Sequence, residues 1–409
     1  MKVLQVNCVY KKGSTGKITY DIHTELLKQG IESVVCYGRG EKVQEKYVYK
    51  TCGELYSKVN HFFSKITGVI YGGCFFSTRK LISVIQNEQP DIVHLQCING
   101  YFVNIYRLIN WLKVNRIRTV ITLHAEFMYT GGCSHSIDCN QWSSRQGCSH
   151  SIKCPRWRAE TGSLFFDRTG TMWKLMKQAF DGFDDRLIVT SVSPWLMERA
   201  KISPILEEKR HCVVLNGVDT EHIFHSYGEV SAINLKKELG IENERVVFHV
   251  SPSFNDNPNH IKGGYYVIEL AKRMPKVKFV VAGVVSKGTN VPPNMVLLGL
   301  VTDQSRLAQL YSMADVTIIT SKRETFSMVT AESLCCGTPV VGFKAGAPEM
   351  IAISEYSEFV EHGDLEALKS AVLRQIENQK QIDRRLTHVY SKEHMKNEYI
   401  SLYNSFLDD

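Results

Sequence analysis

The chain has 409 residues, of which 44% are apolar and 22% charged, with a formal charge of +7. That length suits two domains of about 200 residues, each able to bury its own core, and the balance of residue types is that of a soluble globular protein. So moderate a charge excess is not a nucleic-acid signature; it fits an anionic substrate or a peripheral contact with an anionic membrane surface.

The opening run, residues 1–7, reads as a short strand and not as a secretory signal, and no stretch reaches the roughly 18 apolar residues of a spanning helix. The expectation is a cytoplasmic protein whose membrane contact is at most peripheral, on the inner face. Further strand-like apolar runs fall at 33–37, 91–95, 119–124 and 187–192, with helix-like stretches at 18–29 and 101–113 between them. A second series follows: strands at 246–250, 278–282, 295–298, 316–320 and 338–343, and helices at 264–273, 304–313, 327–335 and 365–379. Such alternation predicts α/β architecture, a parallel sheet covered by helices, built twice. Asn216-Gly217 after the run 213–215 is a turn signal that places the joint. The last stretch, about 391–407, reads as a helix able to pack back on the first half. In open parallel sheets ligands bind beyond the carboxyl ends of the strands, so functional residues are sought just after strands.

The most informative segment is Thr320-Ser321-Lys322-Arg323-Glu324-Thr325-Phe326-Ser327-Met328-Val329-Thr330-Ala331-Glu332. A strand ends, a polar loop follows, and a helix opens near Ser327. Backbone N–H groups of Phe326, Ser327 and Met328 at a helix start suit a phosphate or sugar hydroxyls. A carboxylate in the second turn, Glu332, can accept two hydrogen bonds from paired ribose hydroxyls, and Glu324 in the loop can face a sugar. Gly337-Thr338-Pro339-Val340-Val341 and Gly346-Ala347-Pro348-Glu349 come next. Upstream, Ile261-Lys262-Gly263-Gly264 opens another helix, where a lysine ammonium can meet a diphosphate.

In the first half, Lys11-Lys12-Gly13-Ser14-Thr15-Gly16-Lys17 follows the first strand. Only two residues separate its glycines and Ile18 follows Lys17, so it is not a Walker A loop; a glycine turn there still permits close ligand approach. His124 ends a strand, where its ring can hydrogen-bond a sugar hydroxyl; His94, mid-strand, is a weaker candidate for such a role, or else core. Cys133 to Cys139 is nearly repeated as Cys148 to Cys154, six of seven positions matching. Four cysteines in a loop-rich insert can hold one structural zinc, although the Cys-x5-Cys spacing is wider than usual; reduced thiols or two disulfides are the alternatives. The other eight cysteines mostly sit in apolar contexts and read as core thiols of a reducing compartment. Two stretches, 56–80 and 156–177, mix aromatic side chains (Phe62, Phe63, Tyr71, Phe75, Phe76; Trp157, Phe165, Phe166, Trp173) with Lys and Arg, a mixture that suits a membrane interface or a lipid-diphosphate acceptor, or else a core.

The ordered set Gly299, Tyr311 to Asp315, Glu324 and Glu332 with seven residues between them, and Gly337 to Val341 resembles the donor-site signature of retaining GT-B glycosyltransferases of family 4. The resemblance is close over 298–350 and loose over most of the chain. It implies two Rossmann-like domains facing across a cleft: 1–217 for the acceptor, carrying the cysteine-rich insert 131–156; 218–390 for the donor nucleotide; and 391–409 as a helix returning to the first domain. It implies that Glu332 binds the donor ribose, that Glu324 lies beside the donor sugar, and that the backbone from Phe326 to Met328 contacts phosphate and sugar. Lys262, before Gly263, would stabilise the leaving nucleotide; Gly13 and Gly16 would border both substrates; His124 would touch the donor sugar. Family members often carry an arginine shortly before the lysine. Here the loop reads Asn255-Asp256-Asn257-Pro258-Asn259-His260, leaving Ser253 or His260 to take part of that role.

The reading is a retaining transferase of hexosyl type. It would move a sugar from a nucleotide diphosphate sugar to a hydroxyl of a glycan or polyprenyl-diphosphate-linked acceptor in polysaccharide biosynthesis. It needs no catalytic cofactor and no nucleic-acid partner. A nucleotide-sugar epimerase on the same fold and a non-catalytic sugar-nucleotide-binding protein are the rivals.

Overall fold

The computed structural model describes residues 1–150, 152–378 and 381–408. Ser151 in the second cysteine copy, Gln379 at the predicted end of a helix, and Asp409 lie outside the described residues, as does Lys380. The chain divides into two compact units: Met1–Val214 with the chain from Lys396 onward, and Leu215–Met395.

In the first unit β1 (Lys2–Asn7), β2 (Glu32–Tyr37), β3 (Val48–Lys50), β4 (Ile92–Leu95), β5 (Arg118–Leu123), β6 (Leu187–Ser191) and β7 (Arg210–Val213) form a parallel sheet in the order β3-β2-β1-β4-β5-β6-β7. Every residue of β4 and β6 is buried, as strands covered by helices on both faces require. Buried within this sheet is a polar knot. His94 meets Tyr403 Oη at 2.6 Å through Nδ1 and Thr122 Oγ1 at 2.7 Å through Nε2, and Thr122 in turn meets Tyr399 Oη at 3.0 Å. Both tyrosines lie on the last helix, Lys392–Asp408. With both ring nitrogens engaged, His94 is a core residue.

The second unit repeats the plan with β8 (Arg245–Phe254), β9 (Val277–Val285), β10 (Met295–Gly299), β11 (Val316–Ile319), β12 (Val340–Phe343) and β13 (Ser357–Val360), in the order β10-β9-β8-β11-β12-β13. The helix Gly264–Arg273 buries Val267, Ile268, Leu270 and Ala271 at one-face spacing against Phe279 and Val281 of β9. Val267, Ile268 and Leu270 each contribute roughly 1.5–3 kcal/mol by leaving water.

The seams fall a few residues from those expected at 217 and 390. The chain passes between the units twice, and the segments beyond each pass are stitched together inside the second unit: Val218 N–H donates to Tyr390 O at 2.8 Å and Lys392 N–H to Val218 O at 2.9 Å. A Cβ on Gly217 would stand 2.4 Å from the Lys392 Cα, which explains the glycine of the Asn-Gly turn. Residues 391–395 therefore belong to the second unit.

Burial also sets an acid limit. It pushes His94 in the first unit down to about 3 and His249 in the second down to about 4, from an ordinary 6.5. Above about pH 6.5 folded and unfolded states are both neutral at these rings. Below it the unfolded chain takes up protons that the folded chain refuses, so stability falls as pH drops from 6.5 toward 4. Urea unfolding at successive pH values should show a loss approaching about 1.4 kcal/mol per pH unit per ring in that window; a flat profile between pH 6.5 and 4.5 would contradict it.

Candidate functional site

In both sheets the strand order reverses beside the first strand, between β1 and β4 and between β8 and β11. Crevices at such reversals lie at the carboxyl ends of the strands, and the candidate residues follow those ends.

In the second unit, Lys262 follows β8 and Glu324 follows β11. Lys262 Nζ donates to Glu324 Oε1 at 2.7 Å, with side chains 28% and 21% exposed. Local backbone fixes both partners. Gly263 has φ +68°, and a Cβ there would stand 2.0 Å from the Thr320 carbonyl oxygen, so only glycine lets this turn press on the end of β11. Lys322 N–H donates to Ile261 O at 2.8 Å, tying the two loops together. Glu324 N–H donates to Ala345 O at 3.0 Å and Ala347 N–H to Glu324 O at 3.2 Å.

β8 runs on past the predicted strand end at 250, through an irregularity, to Phe254, and Ser253 pairs with Val284 of β9. Its Oγ lies 3.3 Å from His260 Nε2, and Lys262 N–H approaches His260 Nδ1 at 3.4 Å. The two polar groups considered for the missing arginine thus stand next to each other and to the lysine.

The helix Met328–Cys335 opens one residue later than predicted. Ser327 is its cap, at φ +81°, and its Oγ accepts from Thr330 N–H at 3.3 Å. Met328 and Val329 then lead the first turn, where no carbonyl of the helix reaches their N–H groups. Phe326 is buried just before. Glu332, 8% exposed, accepts from Tyr311 Oη at 2.9 Å through Oε2. That bond and the buried carboxylate hold the Tyr311 phenol well above its usual range, burial being the larger cause.

Two supporting groups went unassigned in the sequence. Tyr311 donates its phenol hydrogen to Glu332. Glu349 takes Ala345 N–H at 3.0 Å and Gly346 N–H at 2.8 Å, pinning the turn that pairs with Glu324. The signal was present: an acid three residues after a glycine cap is a capping pattern.

In the first unit the glycine loop is shorter than predicted, because the helix Gly13–Lys28 takes it over from Gly13. Gly13 sits at φ +66°; a Cβ on Gly16 would approach Val9 Cγ2 at 3.1 Å. His124, just past β5, meets Gln96 Oε1 through Nε2 at 2.9 Å, and burial pushes its ring down to about 4, so it is neutral near pH 7.

Among the described residues no three or more His, Cys, Asp or Glu side chains are arranged to hold a metal ion, and all twelve cysteines are free thiols. The Cys133 thiol hydrogen-bonds Cys154, which draws Cys154 toward thiolate, and Cys148 Sγ accepts Gly131 N–H at 3.2 Å. Two carboxylates outside both cysteine copies hold the insert's backbone. Fully buried Glu126 takes Arg199 Nε at 2.6 Å and Ser136 N–H at 2.6 Å. Asp167 takes Cys154 N–H at 2.8 Å and Ser149 Oγ–H at 3.0 Å. Breaking a buried ion pair such as Glu126–Arg199 typically costs about 3–5 kcal/mol.

Comparison with known proteins gives the following. The profile described as Glycosyltransferase Family 4 matches residues 15–222, and that described as Glycosyl transferases group 1 matches residues 258–378. N-acetyl-alpha-D-glucosaminyl L-malate synthase of Bacillus anthracis is 27% identical over 197 residues, 45% of this chain and 48% of that enzyme, so the match spans about half of that relative's length. The putative colanic acid biosynthesis glycosyl transferase WcaC of Escherichia coli K12 is 21% identical over 99% of this chain and 100% of that protein. Among solved structures, Anabaena HepE in complex with UDP superposes with a TM-score of 0.64 at 16% identity, covering 99% of this chain and 100% of that one. That likeness establishes the GT-B-type α/β fold.

Proposed function

The chain belongs to glycosyltransferase family 4, and on that footing we propose that it is a retaining enzyme. It moves a sugar from a nucleotide diphosphate sugar to a hydroxyl of a glycan or lipid-linked glycan in polysaccharide biosynthesis. The observation that carries this reading is the Lys262–Glu324 pair at 2.7 Å beside a serine-capped helix that bears the buried Glu332. HepE, of the same fold, is described with UDP and with UDP-glucose, and WcaC is described in colanic acid biosynthesis; both support the donor class and the pathway type.

In this reaction the diphosphate replaces Glu324 as the partner of the Lys262 ammonium, and the first-turn N–H groups of Met328 and Val329 add donors. Ribose hydroxyls donate to Glu332. The bond from the anomeric carbon to the diphosphate oxygen breaks, and the negative charge gathering on that oxygen is met by Lys262. The acceptor oxygen bonds to the same face of the sugar, and its proton passes to the departing phosphate. The protein's part is positioning and charge stabilisation. Glu324, released from the lysine, faces the sugar; in the first unit, neutral His124 can hydrogen-bond a hydroxyl.

The test is a screen of UDP-, GDP-, ADP- and dTDP-sugars for a rise in melting temperature, followed by transfer with the best donor. One nucleotide sugar at a hundred times its Kd should add about 2.7 kcal/mol of stability, and the product should keep the donor's anomeric configuration. Inverted product would sink the retaining assignment; no stabilisation by any donor would sink the site.

A further inference from the structure

The helix Glu54–Thr67 in the first unit is inside out. The residues it buries are Ser57 and Ser64, while Leu55 (76% exposed), Phe62 (60%) and Phe63 (57%) stand in solvent. A surface helix ordinarily turns its apolar stripe to the core. Two other segments extend the same face. On one side Leu164 N–H donates to Lys65 O at 2.9 Å, and a Cβ on Gly68 would stand 2.7 Å from Phe166 O, so the 164–166 loop lies along the end of the helix. On the other, Phe76 N–H donates to Tyr56 Oη at 3.2 Å, and the two rings lie 6.0 Å apart. Phe75, Phe76, Phe165 and Phe166 are all exposed, Phe76 at 79%. Of the aromatics that the sequence grouped in these stretches, Tyr71, Trp157 and Trp173 are buried, so the structure has sorted core from surface and left six phenylalanines outside.

The rim is positive. Lys58, Arg79, Lys80 and Arg168 are exposed within the same segments, and the Arg168 guanidinium lies 5.4 Å over the Phe166 ring. The nearby acids are already engaged: Glu54 with Arg39 at 2.9 Å, Glu160 with Arg156, and Asp167 with Cys154 N–H and Ser149. No helix among the described residues is long and apolar enough to cross a membrane.

We propose that this face docks on an anionic lipid bilayer, with the phenylalanines entering the headgroup–acyl boundary and the lysines and arginines meeting lipid phosphates. Projecting aromatic tips with a cationic rim match that interface. A second copy of the chain is disfavoured as occupant because it would bring like-charged rims together. Each basic side chain near an anionic surface adds about fivefold to binding (about 1 kcal/mol). The contact does not depend on which sugar is transferred.

The experiment is co-flotation of the full chain with vesicles of equal parts phosphatidylcholine and phosphatidylglycerol, or of phosphatidylcholine alone, at physiological salt. The wild type should float with the mixed vesicles only. The combined Phe62→Ser, Phe63→Ser, Phe165→Ser and Phe166→Ser variant should lose at least about tenfold in binding, with unchanged circular dichroism and an unchanged melting-temperature rise with donor. Lys58→Gln, Arg79→Gln and Lys80→Gln together should lose about a hundredfold. The proposal is overturned if the wild type does not float, or if the serine variant floats equally well. It is also overturned if the wild type is a dimer that the serine variant splits, since the face would then join two copies.

Discussion

Replacing Lys262 with alanine is expected to lower kcat by about a hundred- to a thousandfold, with a smaller change in the KM for the donor. On the proposed reaction the ammonium matters most when the diphosphate oxygen takes on charge, so its loss is felt in the transition state more than in the bound donor. The free protein should barely notice. The Lys262–Glu324 pair is about a quarter exposed on each side, and such pairs contribute about 1 kcal/mol or less to stability. Melting temperature and kcat should therefore part company in this variant. Lys262→Arg is the control: it keeps the charge but not the compact point contact, and should recover only part of the rate. If Lys262→Ala kept kcat within threefold of wild type, the lysine would be an ordinary surface residue and the leaving group would be stabilised elsewhere.

The second large effect is expected at Glu332. Glu332→Ala should raise the Kd for the donor nucleotide about ten- to a hundredfold, the worth of one or two hydrogen bonds to a charged acceptor at about 1.5 kcal/mol or more. Titration calorimetry with the free nucleotide isolates this term from chemistry. The alanine also strips Tyr311 of its acceptor at 2.9 Å, which costs about 1–3 kcal/mol of stability by stranding a buried hydroxyl. Tyr311→Phe separates the two contributions, because it removes the phenol and leaves the carboxylate. Weakened binding in Glu332→Ala but not in Tyr311→Phe would place the carboxylate on the nucleotide; equal weakening in both would make Glu332 a support for Tyr311.

The sequence was readable where burial and periodicity agree. The helices Gly264–Arg273 and Gln304–Met313 begin and end as predicted, because each has a one-face apolar pattern bounded by clear turn residues. The edge strands β3 and β13 were missed: β3 has three residues, and every residue of β13 is half-exposed, so neither shows a buried run. The helix Glu54–Thr67 escaped for the opposite reason. Its apolar positions are real but face outward, and rules that assume apolar means inward register only a mixture of aromatic and basic residues. At the site, the strand–loop–helix around Glu324 was legible because the helix start and acid spacing carry their own chemistry. What the sequence could not convey is what touches what: that Lys262 reaches Glu324, that Ser253 and His260 are neighbours, or that Glu349 pins the facing turn. In the cysteine insert the repeat was visible but its support was not, since Glu126 and Asp167 lie outside both copies.

The knot formed by His94, Thr122, Tyr399 and Tyr403 bears on how the protein is made. Strands β4 and β5 leave the ribosome early, yet the phenols that close over His94 and Thr122 arrive some 280 to 310 residues later. Until then two polar side chains in the middle of a sheet lack these partners, a state that buried groups tolerate poorly. The second unit carries all its strands before that point and can complete itself first. The first unit thus depends on the helix Lys392–Asp408 to complete the buried hydrogen bonds of its own sheet.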